Sequence, residues 1–164
     1  MRGERARRSE RPAKPLKARA IALLARREYS RAELRSRLVA GGDAADTAEV
    51  DRVLDELVVL GYLSDARFAH AVVAHKSGAY SRRAIGATLK ARGVGGDDTA
   101  AALEGSDVDD SDALIALWRR KFGKVPVNDR EKARQVRFLQ SRGFALSAIF
   151  KLLREPPDSA NGDG

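Results

Sequence analysis

The sequence predicts an all-α protein made of three tandem three-helix repeats, arranged as an elongated, curved array. Apolar residues recur at helical spacing behind Ser, Asp or Asn caps. Similar residues return after about 50 positions, which is the period of a stacked repeat. No segment alternates apolar and polar residues with Val or Ile enrichment, as a strand would. Since a unit of about 45 residues is near the lower limit for a self-sufficient core, neighbouring units should bury surface against one another.

The predicted boundaries follow this pattern along the chain. Residues 1–15 are rich in Arg, Glu and Pro and are predicted to be a disordered basic arm, with a role in nucleic-acid contact or in solubility. The three repeats are predicted at residues 16–63, 64–106 and 107–154. Residues 155–164 are polar and contain glycine, so they are predicted to be a disordered tail.

In the first repeat, apolar spacing predicts a helix that starts at Lys17 and ends near Tyr29. The segment Ser30–Glu33 is typical of a capping box and predicts the start of a second helix. A second capping box at Asp46–Glu49 opens a third, strongly amphipathic helix. The first repeat is therefore predicted to be a three-helix unit.

The same plan recurs in the next two repeats. Residues 80–82 repeat the Tyr-Ser-Arg of residues 29–31, at an offset of 51. In the third repeat Asn128 is predicted to cap the second helix. Leu139–Gly143 resembles Leu89–Gly93, which predicts the end of that helix. Gln135 departs from the pattern because the other repeats have an apolar residue at its position.

The segment 61–69 is predicted to join the first two repeats, because it ends one helix and begins the next. Gly61 suits the left-handed position after a helix. We expect Tyr62 and Leu63 to be buried between the packed units, and Ser64 or Asp65 to cap the next helix. The residues to which we assign this structural role are Gly61, Tyr62, Leu63, Asp65 and Phe68.

The composition and motifs argue against an enzyme. The chain has no cysteine, which excludes disulfides and thiolate metal sites. His70 and His75 are five residues apart, which is not the spacing of a helical metal pair. Phosphate-binding glycine loops, hydrolase elbows and zinc-protease motifs are absent, and the Asp clusters are interpreted as helix caps. We therefore expect no catalytic residue, no metal and no cofactor.

A cytoplasmic protein is predicted from the same composition. No apolar run approaches the roughly 20 residues that cross a bilayer, and the basic N-terminus lacks the apolar part of a secretory signal. The 164 residues carry a formal net charge of +8, which favours a polyanion or an acidic protein surface as partner.

The basic residues give the candidate binding surface. Arg31, Arg82 and Lys132 are predicted to occupy one position, the start of the second helix, in all three units. Stacked units would align them into a basic stripe, although solvated helices are also often rich in Arg and Lys. The aromatic residues fall at core or junction positions, so a base-stacking platform is not expected. The predicted stripe consists of Arg31, Arg35, Arg82, Arg83, Arg119, Lys121, Arg130, Lys132, Arg134 and Arg137.

Three segments together resemble the signature regions of the RecX regulatory family. They are residues 61–69, residues 23–30 with Glu33-Leu34, and residues 138–144, and the resemblance covers roughly residues 16–154. It implies three tandem three-helix repeats and no enzymatic activity. We also expect a monomer. It also implies binding to the RecA recombinase and to its filament on single-stranded DNA. Strand exchange, ATP hydrolysis and coprotease activity of RecA would then be inhibited, with effects on DNA repair, recombination and the SOS response.

Two other functions stay open on the sequence. Some members of this family bind DNA directly, so an autonomous DNA-binding helical-repeat protein is one alternative. The other is an α-helical adaptor for a different acidic protein.

Overall fold

The computed structural model describes residues 14–41 and 46–157, and within these ranges it contains helices and no strand. Most of the predicted basic arm and most of the predicted tail lie outside the described residues. The helices are α1 (Leu16–Leu24), α2 (Arg31–Ala40), α3 (Thr47–Val59), α4 (Asp65–Lys76), α5 (Arg82–Ala91), α6 (Gly96–Glu104), α7 (Asp110–Lys121), α8 (Asp129–Ser141) and α9 (Leu146–Arg154).

Several helices begin where the sequence offers a capping side chain. The oxygen of Ser30 accepts a hydrogen bond from the backbone N–H of Glu33, three residues further on. The same contact opens α4, α5, α7 and α8, at Ser64, Ser81, Asp109 and Asn128. Such a cap satisfies an N–H that has no acceptor inside the helix and stabilises its start by about 1 kcal/mol. The caps predicted at Ser30 and Asn128 are confirmed.

Three separate apolar cores follow one another along the chain. The first is formed by Ala20, Tyr29, Leu34, Leu38, Val50, Leu54, Leu57 and Leu63. The second is formed by Phe68, Ala69, Val73, Ile85, Leu89, Val94 and Ala102. The third is formed by Ala113, Leu114, Leu117, Trp118, Leu139, Phe144, Ile149 and Leu152. Each core belongs to three consecutive helices, so the all-α, three-unit helical repeat predicted from the sequence is confirmed. We call these groups units one (α1–α3), two (α4–α6) and three (α7–α9).

Residues of unit two cap the N-terminal end of α2 in unit one. The backbone N–H of Arg31 donates to Oδ1 of Asp65 over 2.7 Å, so the first residue of α4 caps α2. The Ser30 hydroxyl donates to the carbonyl oxygen of Arg92, at the end of α5, over 2.6 Å. The positive end of one helix dipole therefore meets the negative end of the next.

Units two and three repeat this joint at the start of α5. The backbone N–H of Arg82 donates to Oδ1 of Asp110 over 2.7 Å. The backbone N–H of Ser81 donates to the carbonyl oxygen of Arg142 over 3.0 Å. The second helices α2, α5 and α8 consequently form a row, in which the C-terminal end of each later helix meets the N-terminal end of the preceding one.

Glycine is required where these helix ends meet. Gly93 has φ of +80°, and a Cβ there would lie 2.5 Å from the Cβ of Ala32 in unit one. Gly143 has φ of +91°, and its Cβ would lie 2.5 Å from the Cβ of Ala84 in unit two. Both residues combine a left-handed backbone with a close approach to the preceding unit. A residue with a side chain would be strained by the backbone and would collide with the neighbouring helix.

The segment 61–69 joins two cores, but one expected burial is wrong. Gly61 has φ of +77°, Leu63 enters the first core and Phe68 enters the second. Tyr62 was expected to be buried, yet 52% of it is exposed. The backbone N–H groups of Tyr62 and Leu63 both donate to the carbonyl of Leu57. In this tight turn only Leu63 reaches the core, while the phenol of Tyr62 lies at the surface.

Candidate functional surface

In unit one, α3 neutralises the predicted basic residues of α2. Nη2 of Arg31 lies 2.8 Å from Oδ1 of Asp55. Arg35 binds Asp51 through two hydrogen bonds, from Nε over 2.8 Å and from Nη2 over 3.1 Å. These two arginines therefore form intramolecular ion pairs, which the repeat pattern along the second helices does not predict.

The close contact between Arg35 and Asp51 shifts the pKa values of both groups. The hydrogen bond from Arg35 and its positive charge lower the pKa of the Asp51 carboxyl. The hydrogen bond to Asp51 raises the pKa of Arg35 above its ordinary value. Both side chains are about two-fifths exposed, so solvent and salt screen the pair.

In unit two, the two predicted residues have different surroundings. Arg82 is half-buried at the joint, where its backbone is bound by Asp110 and its Nη1 lies 3.5 Å from the carbonyl oxygen of Ser106. Arg83 is exposed and has no ion-pair partner among residues 14–41 and 46–157. Of these two residues, only Arg83 is therefore exposed to solvent.

The predicted equivalence of Lys132 with the other two positions is wrong in one respect. Arg31 and Arg82 are the first residues of their helices, whereas α8 begins at Asp129 and Lys132 is its fourth residue. Counted backward from the helix C-caps, the three positions do match. The helix α8 is three residues longer at its start, so Lys132 lies one turn inside the helix.

Unit three places cations around a pair of aromatic rings. Phe122 and Phe138 meet edge to face, with ring centroids 5.5 Å apart. Nζ of Lys121 lies 5.3 Å from the Phe138 centroid, and the guanidinium of Arg134 lies 5.7 Å from that of Phe122. These distances are typical of cation–π contacts, which hold the charged groups in place without neutralising them.

The remaining predicted residues, Arg119, Arg130 and Arg137, are exposed on α7 and α8. Unit three as a whole is the basic part of the array, because residues 107–154 contain eleven Lys/Arg and six Asp/Glu. Residues 16–63 contain eight of each. The net positive charge therefore lies in unit three and not in unit one.

Two adjoining clefts in units one and two are lined by cations outside the predicted stripe. The first, of about 470 Å³, lies between α1 and α2 and is lined by Lys14, Arg19, Arg26 and Arg37 among others. The second, of about 650 Å³, shares Arg37 and Ala40 with the first and reaches Lys90 and Arg92 at the end of α5. Glu33 is the one carboxylate among the residues that line them. No periodic signal pointed to these residues, because they come from three helices of two units.

Gln135, a buried polar residue of unit three, has hydrogen-bond partners for both ends of its amide. Gln135 accepts a hydrogen bond from Nε1 of Trp118 over 3.0 Å and donates Nε2 to the carbonyl of Lys124 over 3.1 Å. This bridge explains why a polar residue replaces the apolar residue of the other units.

In the described part of the chain, no group of three or more His, Asp or Glu residues could hold a metal ion. No helix found there has the length and apolar character required to cross a membrane.

This three-unit architecture matches known protein domains and relatives. The RecX second three-helix domain matches residues 64–103, and the RecX third three-helix domain matches residues 107–153. The regulatory protein RecX of Leptothrix cholodnii is 40% identical over 146 residues, which cover 89% of this chain and 92% of that protein. The chain belongs to the RecX family. The RecX protein of Chromobacterium violaceum is 42% identical over 140 residues, covering 85% of this chain and 90% of its own.

Solved RecX structures share the fold. The crystal structure of RecX from Lactobacillus salivarius superimposes with a TM-score of 0.64 at 15% identity, over 85% of this chain and 94% of that one. A second RecX crystal structure gives a TM-score of 0.61 at 17% identity, over 85% and 71% of the two chains. The RecX relatives are named as regulatory proteins, not as enzymes.

Proposed function

We propose that this RecX family member binds the RecA recombinase and its filament on single-stranded DNA, and inhibits strand exchange, ATP hydrolysis and coprotease activity. It would thereby regulate DNA repair and recombination. The observation that carries the proposal is the row formed by α2, α5 and α8, along which units with the same design follow one another. Such a row can contact successive subunits of a helical filament, and several modest contacts then add to a strong one.

The contact surface is proposed to consist of the exposed cations of this row. Arg83, Arg130 and Arg137 are exposed and have no ion-pair partner in the described part of the chain. Their formal charge favours an acidic filament surface, DNA phosphate, or both. Arg31 and Arg35 are weaker candidates because Asp55 and Asp51 already neutralise them.

The test is inhibition of the ATPase of RecA on single-stranded DNA, with increasing amounts of the protein. The triple variant Arg83→Glu, Arg130→Glu and Arg137→Glu should require at least tenfold more protein for half-inhibition, with an unchanged helical circular dichroism spectrum. Arg31→Glu is a poor choice, since a glutamate there would lie beside Asp55 and destabilise unit one. ATPase activity that stays unchanged with saturating wild-type protein would refute the proposed function.

The clefts of units one and two favour a second candidate function, autonomous DNA binding. Five of their cations, Lys14, Arg19, Arg26, Arg37 and Lys90, have no ion-pair partner among the described residues. If they contact phosphates, the logarithm of affinity for naked DNA should fall steeply with the logarithm of salt concentration. The variant Arg26→Glu, Arg37→Glu and Lys90→Glu should then lose naked-DNA binding. Weak binding of the wild type to naked DNA, together with strong filament binding, would count against this function.

A further inference from the structure

Unit three has an open groove between the loop after α7 and the last helix. It has a volume of about 750 Å³ and is lined by Val125, Pro126, Lys132, Phe150, Leu153, Arg154 and Pro156. Val125 and Phe150 are each 39% exposed, and the nearby Val127 is 78% exposed. The groove therefore combines accessible apolar surface with two cations, and no carboxylate is among its lining residues.

The equivalent surface of unit one, between its second and third helices, carries negative charge where unit three does not. Counted from the helix N-caps, Phe150 and Arg154 of α9 match Asp51 and Asp55 of α3. In unit one these two carboxylates neutralise cations of the second helix. In unit three an aromatic ring and a second cation replace them, and Nζ of Lys132 lies 5.6 Å from the Phe150 ring centroid. The cations of the second helix thus have carboxylate partners in unit one, whereas the equivalent surface of unit three is cationic and apolar.

The missing negative charge indicates what the groove accepts. A ligand with carboxylates would supply to Lys132 and Arg154 the partners that Asp55 supplies to Arg31 in unit one. A nucleic-acid backbone offers negative charge but no use for the exposed Phe150 and Val125, and base-stacking sites need a flat, open aromatic face. The chain's own last residues, 158–164, contain no apolar side chain larger than alanine.

We infer that this groove of unit three docks an acidic, amphipathic protein segment, with an apolar side chain against Phe150 and carboxylates on Lys132 and Arg154. The inference rests on the proposed function, because the RecA filament is the surface expected to present that segment. It goes beyond it by assigning a protein contact, and not a DNA contact, to unit three. The cations and the apolar residues would act together, as in the anchored centre of a protein interface.

The experiment measures binding of the full chain to RecA filaments assembled on single-stranded DNA, and to naked DNA of the same length. Phe150→Ser keeps both cations and removes the apolar contact, and the double variant Lys132→Glu, Arg154→Glu keeps the ring and reverses the charge. Each should weaken filament binding roughly tenfold, as expected for an anchor residue. Naked-DNA binding should change much less. The loss caused by Phe150→Ser should persist at high salt, whereas the loss caused by charge reversal should shrink.

Two matched variants control for exposed surface changes elsewhere. Val59→Ser replaces a residue that is 86% exposed on α3, and Arg52→Glu reverses an exposed cation on the same helix. Both should bind filaments like the wild type. Thermal melting of every variant separates a lost contact from lost folding, and Phe150→Tyr, which keeps the ring, should restore binding.

Several results would overturn the inference. Equal filament binding by wild type and both groove variants refutes it while leaving the proposed function intact. Loss of naked-DNA binding in the charge-reversal variant, with no effect of Phe150→Ser, would make the groove a phosphate site. A change of self-association in Phe150→Ser, seen by sedimentation without a change in filament binding, would assign the groove to a second copy of the chain. Failure of wild-type protein to bind filaments refutes both proposals.

Discussion

The joint between units can be tested by adding one methyl group at the end of α5. Gly61 and Gly93 have nearly the same left-handed backbone, with φ of +77° and +80°. A Cβ at Gly61 meets nothing within 4 Å, whereas a Cβ at Gly93 lies 2.5 Å from the Cβ of Ala32. The pair of variants Gly61→Ala and Gly93→Ala therefore separates the backbone term from the contact between units.

The magnitudes follow from these two terms. A left-handed backbone destabilises an alanine by about 1–2 kcal/mol, and reduced freedom of the unfolded chain offsets about 0.4–1 kcal/mol of it. Gly61→Ala should then destabilise by about 1 kcal/mol. Overpacking adds about 1–3 kcal/mol, so Gly93→Ala should destabilise by about 2–4 kcal/mol.

The assay is urea denaturation followed by circular dichroism, with a double-mutant cycle that includes Ala32→Gly. That change removes the opposing methyl group, at the expense of up to about 1 kcal/mol of helix propensity. Combined with Gly93→Ala it should recover part of the lost stability, with a coupling of about 1–3 kcal/mol. Equal destabilisation by Gly61→Ala and Gly93→Ala, or a coupling near zero, would refute the proposed packing of the joint.

Two further predictions concern side-chain partners inside the units. Gln135→Leu should destabilise unit three by about 1–3 kcal/mol, because it leaves the Trp118 N–H and the Lys124 carbonyl without their partner. Urea denaturation followed by tryptophan fluorescence measures the loss of stability. An unchanged midpoint would contradict the prediction. The pKa of Asp51 is lowered in the folded state by Arg35, so this pair stabilises the fold above the ordinary carboxyl pKa and the effect is lost as the pH falls through the folded pKa. Asp51→Asn should therefore lower the urea midpoint at pH 7, and the difference from the wild type should shrink in acid as the Asp51 carboxyl becomes protonated. An equal difference at neutral and acid pH would disprove the assignment.

The sequence by itself determined the helices and the repeat. Caps such as Ser30 and Asn128 act within one turn of the chain, so local pattern predicts them well. The recurrence of Arg-Gly at residues 92–93 and 142–143 was visible in the sequence. The contact that these residues make could not be predicted, because their partners lie in the preceding unit, about 60 positions away.

Tertiary structure alone decided which cations are available to a partner. Arg31 and Lys132 match in the repeat, yet Asp55 neutralises the first, while the second lies near Phe150 without a carboxylate. A charged side chain is defined by its nearest neighbours in space, since Coulomb attraction and screening act over a few ångströms. Those neighbours come from the third helix of each unit, and a pattern read along the second helix contains no information about them.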